Sequence, residues 1–568
     1  MAMITAMATV MARDTVRKVT ARTKKTQWLR YRPGRKATGL LLLGLALALI
    51  SVPLYASKLR IMPGVSVRGI YTDNADLSSS DKKSKFYYQV RPTIKLDTGE
   101  ETGGRIKTDL DYSLVYTDDV PGNRGRTMAH RLKARVQAEL YRDMVFLDAS
   151  AGAGLGARTA GGQTGSGLGS FGGVGQTGLG FGSSGGGQTG SGSGSARSVG
   201  QTWSSGIGDT RNPVQTYTLS LSPYFKHHLG RYADLLTRYT FDQVINSGRS
   251  YDSFSNAVLM SINSGRYFSR MPWSLSYRSR KTNRQDGAND SETTSVNGNV
   301  SYILNRKWRL NLGLGKTDNN YTTNRRSSTD SVTWNAGATW TPTPRTNLDF
   351  SYGRQFFGEN LAFNFNHRWR RAVWTARYTR RLTSWRTQQL AQRFDTAIYD
   401  TFQGYNYLFQ DKYTYNLVGF TPDGKFVYGA FFDMPTLTDE QYVISTFNTG
   451  FSLNGRRSTL SINAHYTKRR YEVSLNNGRD YGLSVNLNRR LTPKTTGNIG
   501  LFWQKNRRTE NGPEDTRLTL NAGLTKQLTE RTNATLRYLY RRLDSDSSGG
   551  ASEYRENQIS FSLGTYWN

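Results

Sequence analysis

The sequence predicts an all-β fold, a transmembrane antiparallel up-and-down β-barrel of about 22 strands, within a range of roughly 18–24. Three observations predict it. The composition is polar on average yet rich in aromatics. The N-terminus has the layout of a secretion signal. Beyond it, apolar residues recur at every second position along nearly the whole chain.

The first observation excludes an ordinary soluble protein of this size. Of 568 residues, 36% are hydrophobic and 12% aromatic, with 33 Tyr and 11 Trp; the mean hydropathy is −0.61. A soluble chain this long needs more Leu, Ile and Val for its core. A barrel needs an apolar side chain only at alternate positions. The chain has no cysteine, which suits an oxidising compartment crossed without a disulfide framework.

Residues 1–36 carry ten Lys or Arg and one acid, and GLLLLGLALALI (39–50) then leads into SVPLYASK. A basic stretch, a short apolar stretch and a small residue make a secretory signal, here assigned to 1–56 with cleavage after Ala56. About twelve apolar residues are too few to span a bilayer as a helix. Residues 57–568, the barrel segment, carry 66 basic and 41 acidic side chains, a net charge of +25.

Alternation fixes the class. In 480–490, Tyr481, Leu483, Val485 and Leu487 fall on one face, and Gly482, Ser484, Asn486 and Asn488 on the other. In 307–317, Trp308, Leu310, Leu312 and Leu314 oppose Arg309, Asn311, Gly313 and Gly315. In 515–527, Leu518, Leu520, Ala522 and Leu524 oppose Thr519, Asn521, Gly523 and Thr525. Successive strand side chains point to opposite faces, so each segment has one greasy face and one small, wet face. In a membrane barrel the greasy face meets lipid. Short turns such as NRK (305–307) and KQLTERT (526–532) alternate with longer polar loops such as 317–330. An even strand count then puts both termini at the short-turn, periplasmic end. The last strand, NQISFSLGTYWN, shares Ile559, Phe561, Leu563 and Trp567 on one face, with Thr565 breaking the row and Asn568 following the terminal aromatic.

Two inserts interrupt the pattern. The Gly-rich insert, 153–212, lies in a stretch (151–210) with 23 Gly in 60 positions and repeats of GQTG at 162–165, 175–178 and 187–190. It is too poor in apolar residues to fold alone and reads as an external loop. The second, 382–444, is aromatic (TFQGYNYLFQDKYTYN, FVYGAFFDMP). It reads as an external loop forming a cap, a lumenal constriction or a contact surface.

The segment IMPGVSVRGIYTDNADL (61–77) carries a resemblance. Pro63, Val65, Val67, Tyr71-Thr72-Asp73-Asn74 and Leu77, opening a barrel, resemble the PEP-CTERM-system-associated outer-membrane protein family. The resemblance implies an integral outer-membrane protein of a Gram-negative cell, encoded with exopolysaccharide biosynthesis and export genes. It brings no catalytic residues. One feature departs from it, the Gly-rich insert. Asp73, Asn74 and Asp76 admit two readings, a Ca²⁺ site or the start of an external loop.

Catalytic and metal motifs are sparse. The five His are scattered and there is no Cys, so no metal or cofactor is expected. NLGLGKT (311–317) ends like a phosphate loop, but Leu310 stands where the first Gly is required. The chain is read as a non-enzyme, with no nucleic-acid partner because of its location. Charge is the functional clue. The face opposite the apolar one collects Arg91, Lys95, Lys107, Arg131, Lys133, Arg135, Arg238, Arg278, Arg309, Arg377, Arg469 and Arg537. Fewer acids share it: Asp109, Asp111, Glu139, Asp234 and Asp349. A charge on the lipid side costs about 2–4 kcal/mol at mid-depth, so these groups are expected to point inward. Arg91, Lys95, Lys107, Lys133, Arg135, Arg238, Arg278, Arg309, Arg377 and Arg537 are the lumenal substrate-binding candidates. A cationic lumen focuses anions and suits an acidic exopolysaccharide. Periplasmic export components then become partners. The alternative places many of these groups at the rims, against lipopolysaccharide phosphates or loop acids. Two functions follow: a porin-like conduit, or a scaffold that anchors matrix or partner proteins through its external loops.

Overall fold

The computed structural model describes residues 60–98, 105–120, 127–157, 213–246, 252–284, 290–325, 329–383, 415–420, 426–430, 441–475, 477–507, 509–510, 512–546 and 553–567. The proposed signal, most of the Gly-rich insert and most of the aromatic insert lie outside them.

The strands are β1 (Arg60–Thr72), β2 (Lys85–Asp97), β3 (Ile106–Val120), β4 (Thr127–Tyr141), β5 (Val145–Ala157), β6 (Pro213–Leu229), β7 (Ala233–Asn246), β8 (Ser253–Ser264), β9 (Trp273–Arg284), β10 (Ser291–Ile303), β11 (Trp308–Asn319) and β12 (Ser331–Thr343). They continue with β13 (Thr346–Gln355), β14 (Gly358–Arg368), β15 (Ala372–Thr383), β16 (Tyr415–Phe420), β17 (Phe426–Ala430), β18 (Tyr442–Asn454), β19 (Ser458–Tyr471), β20 (Asn477–Thr492), β21 (Thr495–Arg507), β22 (Glu514–Gln527), β23 (Thr532–Ser545) and β24 (Tyr554–Tyr566). β16 and β17 form a separate hairpin. β15 pairs directly with β18, and the remaining 22 strands make one sheet in which β1 pairs with both β2 and β24. The sheet is therefore a closed antiparallel barrel, which leaves no unpaired edge. The sequence reading of an all-β barrel of about 22 strands is the fold observed.

The two ends differ as expected. Strands β10 and β11, β12 and β13, and β18 and β19 join through connections of a few residues, at the end that also receives the start of β1 and the end of β24. The connections β1–β2, β5–β6, β11–β12 and β15–β18 lie at the other end. Strands run beyond the edges read from sequence. β5 continues to Ala157, and β15 and β18 reach Thr383 and Tyr442, so the wall takes residues from both predicted inserts. Backbone groups near a barrel rim have pairing partners even where the apolar alternation has stopped, and the periodic signal cannot mark that boundary.

The alternation is carried by the wall. Leu310, Leu312 and Leu314 of β11 are exposed on the outside, Leu314 by 71%, while Gly313 and Thr317 turn inward and are buried. On β24, Ile559, Phe561 and Leu563 face out, with Trp567 beyond its end; Glu556, Gln558 and Ser560 face in and are buried. Aromatic pairs gather at two levels of the outer face. Near the short-turn end stand Trp308–Trp340 (5.6 Å) and Phe365–Trp374 (4.9 Å). Near the other end stand Tyr88–Tyr116, Trp334–Tyr352 and Tyr481–Trp503. Two aromatic girdles with an apolar band between them are what the two lipid–water interfaces select.

The seam between β1 and β24 explains the YTDN residues. Register runs from Gly64↔Tyr566 to Thr72↔Gln558. A Cβ on Gly64 would sit 2.5 Å from the Tyr566 ring, so only glycine lets that ring lie across β1. Past the last pair, Thr72 donates its hydroxyl to Glu556 Oε1 (2.8 Å). Asp73 accepts the Asn557 backbone N–H and side-chain amide, each at 2.7 Å. Asn74 is fully buried and donates to the carbonyls of Ser78 (2.7 Å) and Arg555 (2.9 Å). Of the two readings of this segment, the geometry follows the loop start: the polar groups tie the first strand to the last.

Candidate functional site

Register places all ten lumenal candidates on the inner face. Arg91 lies opposite Ser66 and Lys95 opposite Asp111. Lys107 pairs with Gln137, Lys133 with Asp111 and Arg135 with Asp109. Arg238 pairs with Tyr224, Arg278 with Ser295 and Arg309 with Thr339. Arg377 sits between Asn364 and Asn448, and Arg537 between Gly523 and Ser560. Arg131 and Arg469 share that face.

The candidates do not form one ring. Arg91, Arg131 and Arg537 gather around the seam with Arg68 of β1, which the sequence reading passed over. Arg68 feels the charges of Arg537 and Arg131, and Arg91 those of Arg131 and Asp111. Arg68 also donates to Ser560 Oγ (2.9 Å). This basic arc spans six consecutive strands, β23, β24, β1, β2, β3 and β4, with its arginines on β23, β1, β2 and β4. Lys95 stands at its edge, 3.6 Å from Asp111 and over the Tyr566 ring.

Four other inner cations meet acids. Arg238 reaches Asp148 at 2.9 Å and lies flat over Tyr224, whose ring stacks on Phe146. Arg469 and His465 converge on Asp480, at 2.5 and 3.3 Å. Arg541 meets Glu556 at 3.1 Å, and Arg280 meets Asp242 at 3.7 Å. Asp148, Asp242, Asp480 and Glu556 join the acids expected on the inner face, as Arg68, Arg280 and Arg541 join the cations. All four acids were legible: each is in phase with an inward position two or four residues along its own strand. Asp242, Asp480 and Glu556 lie near strand ends, where the apolar alternation that marks the faces is weakest.

Part of the inner wall is shielded, while Lys107 and Lys133 are exposed. Arg91, Arg238, Arg377 and Arg537 are buried, as are the small polar side chains of Ser255, Ser452 and Ser461 between them. At the loop end, the β11–β12 connection reaches across to β19 and β20. Arg325 donates to the carbonyls of Tyr471 and Leu475 and to Asn477 Oδ1; Thr323 donates to Glu472 Oε2 at 2.7 Å. Among the described residues no group of three or more His, Asp or Glu is set to hold a metal.

A closed antiparallel barrel with apolar side chains outward, aromatic girdles and polar groups inward defines the class: this is an outer-membrane β-barrel. No family model and no curated protein matches the sequence. Among solved structures it is similar to the siderophore receptor PirA from Pseudomonas aeruginosa, at 9% identity over 90% of this chain and 81% of that one, TM-score 0.44. It is similar to the ferric-catecholate import receptor Fiu from E. coli K12 in its open form, at 10% identity over 91% and 82%, TM-score 0.46. It is also similar to a mutant of the ferric enterobactin receptor PfeA from Pseudomonas aeruginosa, at 9% identity over 90% and 82%, TM-score 0.48. At this distance no residue, ligand or activity is carried across.

Proposed function

We propose that the barrel is a conduit that passes an anionic polymer, an acidic exopolysaccharide, across the outer membrane along the basic arc of its inner wall. The observation that carries this reading is the gathering of Arg68, Arg91, Arg131 and Arg537 on neighbouring strands, where their charges act on one another. Keeping like charges together costs free energy that a bound anion removes. Guanidinium groups suit the role because they grip carboxylates with two parallel hydrogen bonds. The resemblance of residues 61–77 to an exopolysaccharide-linked family supports the choice of polymer, and periplasmic export components would meet the end bearing the termini. Because Arg91 and Arg537 are buried, the polymer reaches them only after their cover shifts. In planar bilayers the protein should open under applied voltage, favour chloride over potassium, and be blocked by a polyuronate added on one side. Substituting Arg91, Arg131 and Arg537 by Gln should abolish the block. A barrel that opens without anion preference, or that an acidic polymer does not block, refutes the proposal.

A further inference from the structure

The outer face carries a second concentration of charge, and its height on the wall identifies its ligand. On β19, β20 and β21 the residues Lys468, Arg479 and Arg507 are directly paired across strands, Lys468↔Arg479 and Arg479↔Arg507. All three sit in the outward phase, that of Tyr466, Tyr481 and Trp503. Like charges directly opposite one another destabilise a sheet, and here three cations follow in one row. Lys505 and Arg470 adjoin the row, opposite Tyr481 and Asn477. Among the described residues one acid is ion-paired with them. Glu514 of β22 receives Lys505 Nζ at 2.5 Å, Arg507 at 2.6 Å and Arg479 at 3.2 Å. Its carboxylate pins three cationic heads together and leaves the group with a net positive charge. Lys468 and Arg479 remain exposed.

The level is set by what lies beneath. Tyr466 and Tyr481 are one pair down the wall from Lys468 and Arg479, and Trp503 packs on Tyr481 at 5.7 Å. Below them come Leu483, Val485 and Leu487, then Leu501 and Ile499. Aromatic rings mark the headgroup boundary of a bilayer, so the cations stand just above it, at the end remote from the chain termini. Two outward cations at a comparable level elsewhere each have an acid beside them: Arg542 pairs with Asp544 and Lys316 with Asp318.

We propose that this row on β19–β21, with Lys505 and Arg470, is a binding site for the phosphate groups of lipopolysaccharide in the outer leaflet, its acyl chains lying on the apolar strip below. This rests on the outer-membrane reading of the fold and is independent of the conduit. The site has two parts that a membrane phospholipid or free phosphate would not both satisfy, a multiply cationic row and a broad adjoining apolar wall.

The test is native mass spectrometry of the full-length barrel in detergent, titrated with diphosphoryl lipid A. The wild type should retain one lipid A per barrel. Lys468→Ala, which removes a cation that makes no contact with Glu514, should weaken retention several-fold. Lys468→Ala combined with Arg479→Ala should reduce it at least tenfold, and Arg542→Ala should leave it unchanged. Monophosphoryl lipid A should bind more weakly, and millimolar inorganic phosphate should not displace the diphosphoryl form. The SDS-resistant folded band reports that each variant is a barrel, and the Lys468 variant alone suffices if the double variant does not fold. Retention that is equal in the Lys468 and Arg542 variants, equal retention of a zwitterionic phospholipid, or displacement by phosphate would each overturn the assignment.

Discussion

Asp480 offers a direct measure of how dry the inner wall is. Its carboxylate is 1% exposed and holds Arg469 at 2.5 Å and His465 at 3.3 Å. At 2.5 Å two unit charges attract by about 7 kcal/mol at an effective dielectric constant near 20, but by under about 2 kcal/mol in bulk water. Removing one partner of a buried pair leaves the other uncompensated, at a cost of about 3–5 kcal/mol. Asp480→Asn keeps the shape and removes the charge. It should therefore lower the unfolding free energy of the barrel by about 3–5 kcal/mol, measured by guanidinium titration in lipid vesicles with tryptophan fluorescence. Replacing the pair together, Arg469→Met with Asp480→Leu, should recover most of that loss, because two well-packed apolar side chains need no counter-charge. Raising salt should change the Asp480→Asn penalty little, since shielded pairs are weakly screened. If the single substitution costs less than about 1 kcal/mol, as an exposed pair would, the wall at this level is wet and the shielding argument fails. An open aqueous lumen would then be the better description, and no shift of cover would be needed for a polymer to reach the arc.

Two other substitutions probe the lipid face and the seam. Leu312, 63% exposed on the outer face of β11, should lose about 2–4 kcal/mol of folding free energy in vesicles as Leu312→Arg; a cost near zero would mean that this face meets water and not lipid. Asp73→Ala removes two hydrogen bonds to Asn557, worth about 1–3 kcal/mol together at an exposed site. The temperature at which the SDS-resistant band is lost should fall by several degrees, while Asp81→Ala, on an exposed pair with Lys83, should leave it unchanged; equal behaviour of the two variants would remove the role given to the YTDN residues.

What could be read from the sequence follows from which interactions are local. A strand's two faces are fixed by a period of two, so Leu483 and Leu487 against Ser484 and Asn486 could be assigned without knowing any partner strand. The candidate cations inherit that assignment, and all ten turn inward. Their grouping could not be read, because it depends on ring closure. Arg68 and Arg537 lie at opposite ends of the sequence and become neighbours only because β1 pairs with β24. The acids were lost for a different reason. Asp480 and Glu556 sit near the loop-end rim, where apolar alternation gives out although pairing continues, so their face can be read only by extending the period from further down the strand. Loop contacts were less legible still: Arg325 meets Leu475 across 150 residues, and no periodicity relates a loop to the strand it crosses to. The consequence is physical. The sequence reading gives a wall of twelve cations and five acids whose places around the ring it leaves unset. Asp148, Asp242, Asp480 and Glu556 each meet an inner cation, so the charge is not even around the ring. A cluster of cations on neighbouring strands holds a polyanion more tightly than the same charges spread apart, and that is why the arc, and not the total charge, is the feature on which a conduit would depend.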